Sequence, residues 1–132
     1  MTRLEYWLRA QTQYNVHSPF VYDLYRHVLF ARVEGGICRN VPRERRRFEQ
    51  ICYKLEHYFE VERCEKGDGH AMYLCADVGA IEVVCRPHAD REAEQNWEQR
   101  CNDGAYRVSI DLYDVGLLFS NPRLHRQRFI LR

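Results

Sequence analysis

Lysine is nearly missing from this chain. Of its 20 basic residues only Lys54 and Lys66 are lysine, and 19 acidic residues leave a net charge of +1. That balance removes any general electrostatic case for nucleic acid or an anionic membrane as partner. No apolar run approaches the ~20 residues of a membrane span, and Arg3, Glu5 and Arg9 interrupt the start, so no signal peptide is expected. The six cysteines, Cys38, Cys52, Cys64, Cys75, Cys85 and Cys101, contain no C-x-x-C pair, and the six histidines are equally scattered. Reduced core thiols are therefore expected instead of a disulfide framework or a metal site, and a cytoplasmic location with them. No Ser/His/Asp or Cys/His set can be placed, because nothing positions one such residue against another; no catalytic residue is assigned.

What is present describes one folded domain, residues 1–132, with 13% aromatic and 30% charged residues. Thr2–Gln11 predicts a short amphipathic helix with Leu4, Trp7, Leu8 and Gln11 on its inner face. In Tyr14-Asn15-Val16-His17-Ser18-Pro19-Phe20, Ser18 is a natural N-cap and Pro19 suits the first helical position. A helix then runs to about Phe30, with Phe20, Leu24 and Val28 inward. A third starts near Pro42 and carries Phe48, Ile51, Cys52, Leu55 and Phe59 on one face. Its first turns hold Arg43, Arg45, Arg46 and Arg47, at the end where the helix dipole disfavours cations. They read first as a solvated face and second as an anion-binding module.

From Glu60 to His70 the chain reads as a surface loop, after which the period changes to two. Met72–Ala76 and Ile81–Cys85 predict an antiparallel hairpin, since the link is too short for a parallel crossover. A helix follows with Ala89, Ala93, Trp97 and Cys101 on a face. Next comes a strand of alternating Tyr106, Val108, Ile110 and Leu112, with Asp111 read as solvent-facing. The phase slips at Tyr113-Asp114 and resumes at Val115, which means a bulge eased by Gly116 or a tight turn; the bulge is preferred. Phe129–Leu131 closes the chain as an antiparallel strand able to insert between strand 81–85 and strand 106–112. The fold class is α+β, a reduced α/β: three N-terminal helices over residues 1–60, then β-β-α-β-β over 71–132 in a small mixed sheet of about four strands.

Two blocks, Tyr6–Asp23 with its VHSPF run and Ile81–Arg132 with S-I-D-L-x-x-x-G-L-x-F, resemble a family of class I S-adenosylmethionine-dependent methyltransferases. Phe48–Leu55 is similar to the helix that follows the first block there. The resemblance implies a helical cap and the family's closing strands, in the family's order. What the family carries between them is missing here: a Gly-rich turn after the first strand, an acidic residue for the ribose hydroxyls, and an acid near the methyl donor. The nearest imitation is Asp77-Val78-Gly79, followed by strand where the family has helix. The expectation is a truncated, non-catalytic binding or oligomerising module that pairs with itself or with a full-length methyltransferase paralogue, without a cofactor. The alternative is a methyltransferase or S-adenosylmethionine binder rebuilt around His17, Asp77 and Gly79. His17, just before the cap, reads first as structural. Arg86 and His88, just past the end of a strand, are ligand-binding candidates by the rule for open α/β sheets.

Overall fold

A computed structural model describes residues 1–11, 18–30, 40–61, 63–65, 71–76 and 79–132; of 63–65 and 71–76 it describes the backbone only. Three helical segments come first. Helix α1, Arg3–Arg9, is capped by Thr2, whose hydroxyl accepts from the Glu5 N–H at 3.1 Å. Helix α2, Pro19–Leu24, has Pro19 at its start and Ser18 as its cap, accepting from Val21 N–H. It runs on as a π-helical turn, Tyr25–Leu29. A 3₁₀ turn, Arg43–Arg45, leads into α3, Arg46–Phe59, which ends on Glu60 in the left-handed region at φ 54°.

The remainder is a mixed sheet of six strands with one helix. The strands are β1 (Arg63–Glu65), β2 (Ala71–Ala76), β3 (Gly79–Cys85), β4 (Val108–Asp111), β5 (Val115–Phe119) and β6 (Gln127–Ile130), and α4 (Arg91–Cys101) links β3 to β4. Their order is β1-β2-β3-β5-β4-β6. The α+β class and the antiparallel β2–β3 hairpin are those that the sequence pattern predicts. Three details differ. Arg63–Glu65, inside the stretch read as loop, pairs with β2. The phase slip at residues 113–114 is a tight turn and not a bulge, so one continuous strand becomes the β4–β5 hairpin, with Asp111 opposite Gly116. The antiparallel strand inserted between β3 and β4 is therefore β5, whereas β6 lies outside β4 and parallel to it.

Alternation along the strands sorts their side chains to two faces. Ile81, Val83, Ile110, Val115, Leu117 and Phe119 join Val21, Leu24, Val28, Phe48, Ile51, Cys52 and Leu55 in one buried cluster beneath α2 and α3. The opposite face is covered by α4 through Trp97, which is 1% exposed. A Cβ on Gly116 would stand 2.4 Å from the Trp97 ring. Gly116 is thus required by the indole packed against β5, not by a bend in the strand.

Helix α1 reverses its expected orientation. Tyr6 and Ala10 are buried, while Leu4, Trp7 and Leu8 are 67%, 57% and 69% exposed. The anchor is polar: the Tyr6 hydroxyl donates to the Leu131 carbonyl, and Gln11 pairs beside Leu131 at the edge next to β6. Seven helical residues have little apolar face to bury, so these hydrogen bonds decide the rotation.

Candidate functional site

The loops that leave the carboxyl ends of β3 and β4 meet on a buried histidine. His88 follows β3 by three residues, its side chain 1% exposed. Its Nε2 lies 2.5 Å from Asp111 Oδ2, at the end of β4, and its Nδ1 lies 2.9 Å from Glu94 Oε2, in the first turn of α4. Asp111 is itself 1% exposed, so the residue expected to face solvent is instead the floor of this cluster. Its other oxygen accepts the Tyr113 N–H at 2.8 Å, and Glu94 also receives the Met1 amino group. Burial pulls the His88 pKa down, but the hydrogen bonds and charges of Asp111 and Glu94 outweigh it and hold it above 6.5. Glu94 is held below the usual carboxylate range, first by the amino group of Met1 and then by His88.

Two strained residues flank this cluster. Tyr113 has φ 70° and Arg86 has φ 50°, and the Arg86 N–H donates to the Asp114 carbonyl at 2.8 Å, tying the two loops together. Asp114 N–H turns back to the Leu112 carbonyl at 3.0 Å, a three-residue γ-turn with Tyr113 at its centre. A non-glycine residue there costs of the order of 1–3 kcal/mol and persists only where its surroundings over-determine it. Here they do. The Tyr113 ring stacks on His88 at 5.3 Å and packs on Tyr6 at 5.2 Å, with the Arg3 guanidinium 4.6 Å above it. Arg3 also reaches Asp114 at 3.0 Å, and Arg47 donates to the Leu112 carbonyl at 3.1 Å.

These contacts define what the cluster does chemically. Both ring nitrogens of His88 are engaged by carboxylates, so a protonated ring is held and no lone pair is offered to a substrate. Burial pushes the Tyr6 hydroxyl up to about 12 and raises the thiols of Cys85 and Cys101, which moves all three away from nucleophile or base chemistry. The arrangement is an electrostatic clasp that joins α1, α3, α4 and the two loops.

The sequence-chosen candidates fall in different places. His17 and Asp77 lie outside the described residues. Gly79 opens β3 at φ 108°, and a Cβ there would meet the Asn121 backbone and the Ser120 hydroxyl at 3.1 Å; Ser120 also accepts the Ala80 N–H. The glycine is needed, but its surroundings are filled by the chain itself. Arg86 and His88 stand at the other end of β3, about 20 Å away at the rise of a strand, so these candidates are not one site. Arg86 is exposed on a cleft of about 780 Å³ shared with Arg45 and Arg100, whereas His88 faces a second cleft of about 710 Å³ lined by Glu5, Asp90, Glu94 and Glu98. Two of the arginines at the start of α3 have acidic or carbonyl partners within the chain. Arg45 pairs with Glu49 at 3.8 Å, and Arg47 turns to Leu112 and Asp114.

Asp111 and Glu94 are the members that sequence reasoning missed. One signal was present: Asp111 two residues before Tyr113 is placed to accept its N–H, the side-chain-to-backbone bond that opens a turn. Glu82 is a second buried acid on the α4 face, paired with Arg100 and the Tyr106 hydroxyl. Comparison with protein-family models, curated proteins and solved structures gave no match to this chain.

Proposed function

We propose that this chain is a shortened, non-catalytic relative of the class I S-adenosylmethionine-dependent methyltransferases, acting as a binding or oligomerising module. The observation that carries the reading is β2. It lies antiparallel against β3, from Ala71 opposite Val84 to Ala76 opposite Gly79, on the side of the sheet where a parallel cofactor-binding half would continue. A cofactor of this class sits over the carboxyl ends of adjacent parallel strands; next to β3 an antiparallel strand occupies that place. Support for the resemblance comes from the other side. Strand 81–85, helix α4 and the closing pair β4–β5 follow in the order that the similar segments imply, with β3 and β4 running alike on either side of β5.

Isothermal titration with S-adenosylmethionine and S-adenosylhomocysteine tests this. No heat of binding is expected at millimolar ligand. Saturable heat with either compound sinks the reading in favour of a cofactor binder with a rebuilt site.

A further inference from the structure

The cleft of about 780 Å³ between the end of β3 and α4 has the size of a small-molecule site. Arg86 stands exposed on it, and its guanidinium has no partner among the described residues. The residue is also strained at φ 50°, where glycine would fit freely. A long cation kept unpaired at a strained position is placed for something outside the chain. Arg45 lines the same cleft from the turn before α3, held 3.8 Å from Glu49 and 5.1 Å from the centre of the Phe48 ring. Burial raises the Cys85 thiol, and the charges that oppose this are those of Arg45 and Arg86, so both guanidinium groups lie near this one side chain. Val84, Pro87, Ala93 and Trp97 give the cleft an apolar wall. The Trp97 ring meets Gly116 through its benzo edge; Nε1, on the opposite edge, is a buried donor without an acceptor among the described residues. We propose that this cleft binds a small organic phosphate monoester, its phosphoryl oxygens on Arg86 and Arg45 and its apolar body against Ala93 and Trp97. The proposal rests on the reading of the chain as a binding module and names its ligand class. Two guanidinium forks from separate elements suit a tetrahedral group with three outer oxygens, whereas one fork fills a planar carboxylate. Three acids share the cleft. Asp90 is engaged as the cap of α4, accepting the Ala93 N–H at 2.8 Å, and Glu44 and Glu92 are exposed, so solvent screens them from a phosphate in contact with the arginines. Arg100 pairs with Glu82 and takes no part.

Fluorescence titration of the full chain with phenyl phosphate tests this, in a Trp7→Phe background where Trp97 is the one remaining tryptophan. A saturable change in emission at millimolar phenyl phosphate is expected, with phenylacetate about tenfold weaker and benzyl alcohol without effect. Arg86→Gly removes the fork and relieves the strain together. It should keep or raise the thermal unfolding midpoint while weakening phenyl phosphate about tenfold, and Arg45→Gln should weaken it by a similar factor. No saturable change, phenylacetate binding as tightly as phenyl phosphate, or binding that survives both arginine changes overturns the proposal. Titration with S-adenosylhomocysteine, which carries no phosphate, decides the parent reading separately.

Discussion

His88 and Asp111 form a pair in which each partner is expensive to leave alone. Replacing Asp111 by Ala leaves a buried, charged imidazole facing an empty floor and frees the Tyr113 N–H. We expect a loss of about 3–5 kcal/mol in urea unfolding, the range for breaking a buried ion pair. The pH dependence follows from the two shifted groups. His88 titrates above 6.5 in the folded chain, so its contribution is fully present below 6.5 and is lost as pH rises through the raised value. Glu94 titrates below 4.5 when folded, so its contribution is present above 4.5 and is lost as pH falls through the lowered value. Stability should therefore peak between the two windows. A His88→Gln variant should lose the alkaline-side decline, which unfolding midpoints across neutral pH will read directly. Asp111 was hidden in the sequence because alternation put it opposite Ile110, and the face opposite a core is ordinarily wet. In this sheet both faces are covered, one by α2 and α3, the other by α4.

At the scale of elements, α4 and β5 depend on a missing side chain. Gly116→Ala should cost about 1–3 kcal/mol, because the new methyl group meets the Trp97 ring. Joined to Trp97→Leu it should cost less than the sum of the two single changes, a double-mutant cycle that isolates this contact. Helix α3 was legible in sequence because its apolar period runs for fourteen residues, and Phe48, Ile51, Cys52 and Leu55 are all buried as that period requires. The β4–β5 hairpin was not. Its turn places Tyr113, a poor turn former, in the left-handed region, and what holds it there is tertiary: His88, Tyr6 and Arg3 come from distant parts of the chain. Helix α1 escaped for a related reason. Its stripe has the right spacing, but hydrogen bonds to Leu131 and Ile130 turn it outward.

For the whole molecule, the sheet carries the functional argument. Helices α2 and α3 cover one face and α4 covers the other, while the clasp closes the end where β3 and β4 finish. On the β3 side the sheet continues antiparallel into β2 and β1. Among the described residues both neighbours of β3 run antiparallel to it, and the proposal that no adenosyl cofactor binds beside β3 rests on that arrangement. A ¹H–¹⁵N correlation titration with S-adenosylhomocysteine reads every backbone amide at once and tests that claim most directly. The amides of Gly79, Ala80, Arg86, His88 and Tyr113 are expected to stay where they are up to millimolar ligand. Saturable, concerted shifts of Gly79 and Ala80, or of the loops around His88, would contradict it and restore a cofactor site to this fold.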